Sequence, residues 1–210
     1  MDVDQASAAI IAAGRRLGAR GLISAGEGNL SIRLDADRVL VTPTGRRKDE
    51  LEPDELVVVR IADAAELDAR SISGLAASSD LAIHLAVHAA RPDIGAVAHA
   101  HLPASMALTL AGEYPDPASL PETAQLLPRL PFVAFGEMGS AELAGRIAER
   151  LTEGPEPYPG AALLERHGAV AVGPDLETAV DRLELIEVLC RTWRDALLLR
   201  GARATLDRGG

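Results

Sequence analysis

Apolar positions recur along the chain with two different periods. Over residues 8–20 they return every three or four places, at Ile10, Ile11, Gly14 and Leu17, which predicts a helix closed by Gly21. Residues 30–33 and 38–42 flank Asp35-Ala36-Asp37 and read as a hairpin. The β-branched run at 56–61 predicts a strand. Residues 79–91 read as a helix: Ser78 or Ser79 can cap it, Asp80 suits its positive N-terminal end, and Pro92 stops it. The short apolar run 95–101 predicts a buried strand and 105–111 a helix. The proline-rich stretch 112–131 predicts a loop with one short helix, and 132–135 a further strand. Ser140 can cap a helix reaching Leu151, and residues 161–165 and 169–172 read as strands about a turn at His167-Gly168. Asp175 caps a last helix expected to end at Gly201, with 201–210 as a frayed tail. Helices interspersed with short strands and hairpins predict one α/β domain over residues 1–200, with a mixed or antiparallel sheet covered by helices.

Composition narrows the partners. The 210 residues carry 31 acidic and 21 basic side chains, a formal charge of −10. A nucleic-acid binder usually presents a basic face, so DNA and RNA are not expected as partners. A local site can still oppose the global charge and hold a small anion. Aromatic residues, at 2%, are too few for base- or sugar-stacking platforms. Cys190 is the single cysteine, so no disulfide forms within the chain, and a reducing cytoplasm fits. The N-terminal stretch lacks the basic start of a secretory signal, and no apolar run is long enough to cross a bilayer, so no membrane partner is expected.

Candidate chemistry begins with the five histidines. His99 and His101 lie two apart on a predicted strand, where side chains share one face. Two imidazoles so placed can converge on one metal ion, with a third ligand from elsewhere in the chain. His167, in a tight turn before Gly168, can supply it, and three nitrogens suit Zn²⁺ with a position left open. The competing readings are a pair of histidines on a solvated strand face, which the apolar flanks Ala96-Val97-Ala98 and Leu102 disfavour, or a satisfied core histidine. His84 and His88, four apart on a helix, form a rival pair. A metalloprotease helix would need glutamate after the first histidine, where this chain has Leu85. His84 is instead expected as a buried helix histidine bonded near the site, and His88 as a helix-surface residue. Asp80 is either a helix N-terminal charge, a metal ligand or a proton carrier.

Three places can hold an anion: Gly28-Asn29 after a helix break, the Thr42-Pro43-Thr44-Gly45 turn, and Ser78-Ser79 at a helix start. All precede the histidine strand, and a metal beside an anion pocket makes a coherent site. Lys48, the only lysine, lies in the charged run Arg46-Arg47-Lys48-Asp49-Glu50 and is expected in a solvated loop, outside any Schiff-base chemistry.

Taken together, Gly28-Asn29-Leu30-Ser31, Thr42-Pro43-Thr44-Gly45, Ser78-Ser79-Asp80 with His84, Arg91-Pro92-Asp93, His99-Ala100-His101 and His167-Gly168 with Gly173 resemble, in order, the class II aldolase/adducin family. The resemblance spans roughly residues 5–195. It implies a single three-layer α/β/α domain with a mainly antiparallel central sheet, assembled as a homotetramer. It implies a divalent metal, zinc above all, on His99, His101 and His167. It also implies a substrate phosphate on Asn29, Thr44, Gly45, Ser78 and Ser79, and a catalytic carboxylate at Asp80. The activity it suggests is a metal-dependent aldolase that cleaves a phosphorylated ketose through a metal-stabilised enediolate, with Asp80 moving the proton. Fuculose-phosphate-type aldolases of the family carry glutamate where this chain has Asp80, whereas its ribulose-phosphate epimerases carry aspartate. A sugar-phosphate 4-epimerase is therefore the alternative enzyme, with a dehydratase or a decarboxylase beside it, because these too can use a metal-bound enediolate. An interaction module like the adducin head, which lacks the metal histidines, is the alternative outside enzymes. Family enzymes also use tyrosines as acids, and this chain has only Tyr114 and Tyr158.

Overall fold

The computed structural model describes residues 1–65 and 74–206. Its elements follow in the order α1 (Val3–Ala19), β1 (Asn29–Arg33), β2 (Arg38–Val41), β3 (Val57–Arg60), α2 (Leu81–Ala90), β4 (Ala96–Ala100), α3 (Pro103–Leu110), α4 (Pro121–Leu126), β5 (Phe132–Val133), α5 (Ala141–Arg150), β6 (Ala161–Leu164), β7 (Gly168–Gly173) and α6 (Leu176–Leu206). The seven strands form one sheet in the order β3-β2-β1-β4-β7-β6-β5. Every pairing is antiparallel except β5 with β6.

Strand alternation sorts the sheet into two faces. Leu30 and Ile32 of β1, and Ala96, Ala98 and Ala100 of β4, belong to a core cluster shared with α1, α3 and α6. Val97 of β4 and Val170 and Val172 of β7 pack instead against Ile83 and Val87 of α2 and Leu143 and Ile147 of α5. The result is the expected three-layer α/β/α sandwich. The same alternation turns Asn29, Ser31 and His99 toward the α2 side.

Caps account for the helix starts. The Asp2 carboxylate accepts the Gln5 N–H, Ser140 Oγ accepts that of Leu143, and Asp175 accepts that of Thr178. Helix α2 begins two residues later than expected, at Leu81. Ser78 Oγ accepts the Asp80 N–H at 3.3 Å, so this serine holds the first turn and the Asp80 carboxylate points elsewhere. Helix α6 does not stop at Gly201 but continues to Leu206. One glycine costs a helix about 1 kcal/mol, and the Ala202-Arg203-Ala204 sequence beyond it favours helix. The remainder of the expected tail, 207–210, lies outside the described residues.

Two backbone features close the functional end of the sheet. Gly28 (φ +70°) brings the chain into β1 against the His99 carbonyl, and Gly168 (φ +89°) turns it into β7. A Cβ on Gly168 would stand 2.1 Å from the Ala100 carbonyl oxygen, between the histidines of β4 and His167. Gly168→Ala is therefore expected to lower unfolding free energy by about 1–3 kcal/mol in urea titrations of metal-free protein, and to weaken divalent-metal binding as well.

Candidate active site

The C-terminal end of β4, the turn between β6 and β7, and the N-terminal end of α2 meet at one edge of the sheet. His99 stands opposite Asn29 on one side and Val170 on the other. His101 follows just past β4, and His167 precedes Gly168. The three rings form a triangle with centroid separations of 4.7, 4.8 and 5.0 Å, and one nitrogen from each lies within 4.8 Å of the others. The structure thus brings together the three histidines that spacing alone could only suggest.

The state of these rings fits a cation. His99 Nδ1 donates to the Ala169 carbonyl at 3.0 Å, which leaves Nε2 as a bare lone pair. That Nε2 is buried without a partner, as are both ring nitrogens of His167. Burial and the neighbouring imidazoles hold His99 well below the usual histidine range, and burial followed by His101 also lowers His167. Unpaired buried acceptors are costly unless something occupies them. Neutral imidazoles converging on one point are the donor set of a divalent metal, and nitrogen donors suit zinc-class ions over calcium or magnesium.

Asp80 lies beside this triangle, its Oδ2 3.9 Å from His99 Nε2. Its carboxylate is pinned at both oxygens: Asn29 Nδ2 donates to Oδ2 at 3.1 Å and the Gly139 N–H to Oδ1 at 3.1 Å. Behind Asn29 runs a buried hydrogen-bond chain. His84 Nε2 meets Asn29 Oδ1 at 2.7 Å, Ser31 Oγ meets His84 Nδ1 at 2.6 Å, and the same hydroxyl meets His88 Nε2 at 2.9 Å. With Asn29 Nδ2 donating to Asp80, the Asn29 Oδ1 faces His84, which makes His84 Nε2 the donor and Nδ1 the acceptor of the Ser31 proton. His84 is therefore the expected buried partner of the site. His88 is not the expected surface residue: it is 1% exposed, because its position one helical turn from His84 faces Ser31 and its carbonyl is bound by Arg33.

A cavity of about 260 Å³ opens next to the triangle. All five residues expected to hold an anion line it: Asn29, Thr44, Gly45, Ser78 and Ser79, together with Asp80 and His101. The Thr44 and Ser78 segments are joined by a bridge between Pro43 and Ala77 and by the Ser78 N–H to the Thr42 carbonyl. Thr42 spends its own hydroxyl on the Leu30 N–H and faces the core. Larger cavities of about 510 and 650 Å³ open elsewhere, but no histidine lines either, so size does not mark the site.

Sequence reasoning missed three contributors. Gly139, from the loop before α5, reaches Asp80 by its backbone alone and carries no side-chain signal. Glu27 lies at the cavity with Oε1 3.7 Å from His101 Nδ1; its place between Gly26 and Gly28 was the only hint. Lys48, expected in a solvated loop, is 3% exposed and lines the cavity. Neither tyrosine lines it. Tyr114 packs against Phe132 with ring centroids 4.3 Å apart and the rings tilted by 59°, and Tyr158 lies under the Arg91 guanidinium in the 650 Å³ cavity. The Arg91-Pro92-Asp93 sequence is a structural clamp. Arg91 pairs with Asp93 and donates to the Leu151 and Pro159 carbonyls.

A three-layer sandwich with a three-imidazole cluster beside a cavity lined by serine, threonine and glycine turns defines a recognisable class. The model of the Class II Aldolase and Adducin N-terminal domain matches residues 8–194, and the chain belongs to that family. A 3-oxo-tetronate 4-phosphate decarboxylase of Haemophilus influenzae is 32% identical over 178 residues, covering 83% of this chain and 80% of that one. A methylthioribulose-1-phosphate dehydratase of Acidiphilium cryptum is 33% identical over 191 residues, covering 86% and 85%. The crystal structure of an L-fuculose-1-phosphate aldolase from Thermus thermophilus is similar with a TM-score of 0.80 and 28% identity, covering 95% of this chain and 97% of that one. No helix among the described residues is long and apolar enough to cross a membrane.

Two outcomes test the site. His99→Ala is expected to abolish stoichiometric divalent-metal content, read by elemental analysis after reconstitution, while His88→Ala leaves that content unchanged. The second concerns acid. Burial depresses His84 to about 4 and places His88 well below the ordinary value, so the unfolded chain takes up protons that the folded one refuses. Stability is full above the unfolded value near 6.5 and falls as pH drops toward 4. His84 alone is expected to cost about 2 kcal/mol between pH 7 and pH 5. Urea midpoints of metal-free protein should fall accordingly, with a shallower slope in His84→Gln.

Proposed function

We propose that the protein is a divalent-metal-dependent lyase acting on a phosphorylated ketose or a related oxo sugar acid. The observation that carries this reading is the meeting of His99, His101 and His167 beside a cavity lined by Asn29, Thr44, Gly45, Ser78 and Ser79. In this reading the three imidazoles hold the ion, zinc first among candidates. When bound, it supplies a Lewis acid for the charge that develops on a substrate oxygen as an adjacent bond breaks. The phosphate lies against the hydroxyls of Thr44, Ser78 and Ser79 and the backbone N–H groups of Gly45 and Ser79, since the Thr44 and Ser78 N–H groups already donate to the Ala76 and Thr42 carbonyls. Ser78 Oγ accepts the Asp80 N–H, so its own proton is free to donate to that phosphate. Anchoring at the phosphate fixes the reacting carbons near Asp80.

Asp80 is the proton carrier of this proposal. Asn29 and Gly139 hold both its oxygens in one orientation, and the His84–Ser31–His88 chain holds Asn29. Its aspartate length distinguishes this cleft from the fuculose-phosphate type, which carries glutamate there. That length fits the epimerase alternative, whereas the decarboxylase and dehydratase relatives favour loss of carbon dioxide or water as a second reading beside aldol cleavage. All three reactions make the same demand on these residues: an anchored phosphate, an electron sink and one positioned carboxylate. A homotetramer in the cytoplasm completes the proposal. Met138, 60% exposed and lining the cavity, is where a neighbouring subunit would add contacts.

A product screen with metal-reconstituted protein separates the readings. Dihydroxyacetone phosphate plus an aldehyde marks an aldolase, carbon dioxide from a 3-oxo acid phosphate a decarboxylase, and a dehydrated ketose phosphate a dehydratase. Stereochemical change without fragments marks an epimerase. No turnover across this panel, alongside specific capture of a protein partner, would favour the adducin-head type of module. Asp80→Asn is expected to fold and retain metal but lose about 100-fold or more in kcat. Near-normal kcat would remove Asp80 from the mechanism.

A further inference from the structure

The one lysine of the chain is buried in the cleft, and nothing assigns it a role. Its burial comes from α1. A Cβ on Gly14 would stand 1.9 Å from the Lys48 carbonyl oxygen, and one on Gly18 2.7 Å from Asp49 Cβ, so these glycines let the Lys48-Asp49 backbone lie directly on the helix. The side chain then runs inward to the 260 Å³ cavity. Lys48 Nζ donates to the Gly26 carbonyl at 2.7 Å and to the Arg46 carbonyl at 2.7 Å. An ammonium has three protons, so one remains without a partner.

Its charge is also unanswered. The flanking cations are neutralised, Arg46 by Glu55 and Arg47 by Asp49 and Glu50. Among the described residues, Lys48 forms no ion pair. A buried ammonium without a counter-ion is expensive and draws an anion. Burial lowers its pKa to about 8, opposed by the Asp80 charge across the cavity, so it remains cationic at neutral pH. Around it the cleft offers neutral donors from Ser78, Ser79, Thr44 and Gly45, on a chain whose net charge is −10. Those donors can cradle an oxyanion but cannot balance its charge.

We propose that Lys48 is the counter-charge of the anion subsite: its free N–H and positive charge bind the substrate phosphate opposite the Ser78-Ser79 and Thr44-Gly45 turns. The inference rests on the phosphate reading given under the proposed function. The two fail differently.

A single lysine makes the test direct, since protein labelled with ¹³C-lysine gives one side-chain Cε signal. Inorganic phosphate is titrated into the metal-reconstituted full chain and followed by this signal and by calorimetry. The expected result is a saturable shift of the Lys48 signal with the calorimetric Kd, and no matching shift with chloride. Lys48→Met is expected to weaken phosphate binding about 10- to 100-fold, while Lys48→Arg recovers most of it. Metal content and melting temperature of the variants separate this from a role in pinning the Gly26 and Arg46 loops. Phosphate binding that Ser78→Ala weakens, with an unmoved lysine signal, would overturn the role of Lys48 and leave the subsite standing. No phosphate binding by the wild-type chain would overturn both. The labelled wild-type titration decides the matter even if the methionine variant fails to fold.

Discussion

The site depends on the antiparallel register of β1, β4 and β7. Pairing Asn29 with His99, and His99 with Val170, places one amide and one imidazole side by side on the α2 face. The period-two alternation of a strand then decides the rest. Ser31 falls beneath Asn29 on the same face, and α2 lays His84 and His88 across both. A slip of one residue would turn this polar row into the opposite core, where Leu30 and Ile32 now pack with α1 and α6. The hydrophobic demand of that core therefore specifies the geometry of the cleft.

Polar groups at such depth survive because each is answered. Asn29 is 4% exposed, His84 fully buried and Asp80 5% exposed, yet hydrogen bonds link all three. Among the described residues, the buried side-chain groups left open are the lone pairs of His99 and His167, one nitrogen of His88, Arg146 Nε and Trp193 Nε1, and Lys48 keeps a third proton without a partner. His99 and His167 meet in the imidazole triangle, and Lys48 lines the cavity beside it. At the triangle and the adjoining cavity, open acceptors and a cation stand where a ligand can supply the missing partners.

Much of this was legible in local sequence. The His99-Ala100-His101 spacing on an apolar run, the Ser78-Ser79 start of α2 and the Thr44-Gly45 turn each carry their meaning within a few residues. Periodicity likewise located α1, α2 and α5 and the strands between them. What escaped was tertiary. A lysine flanked by Arg46, Arg47, Asp49 and Glu50 reads as solvated, because the two glycines that bury it sit some thirty residues away on α1. His88 reads as a surface residue until β1 is laid against its helix. Gly139 contributes only an N–H, which every residue but proline possesses. The end of α6 was misplaced because a single glycine is a weak stop when helix formers follow it.

The imidazole triangle draws on both halves of the chain, two rings from the end of β4 and one from the turn into β7. During synthesis, the portion of chain that ends before residue 167 holds two of the three donors on a strand that has not yet met its central neighbour. A nascent polypeptide therefore offers an ion only an incomplete grip. On the metal reading proposed above, full capture would wait until the last strand emerges from the ribosome and seats beside β4, which would make loading a late event in maturation.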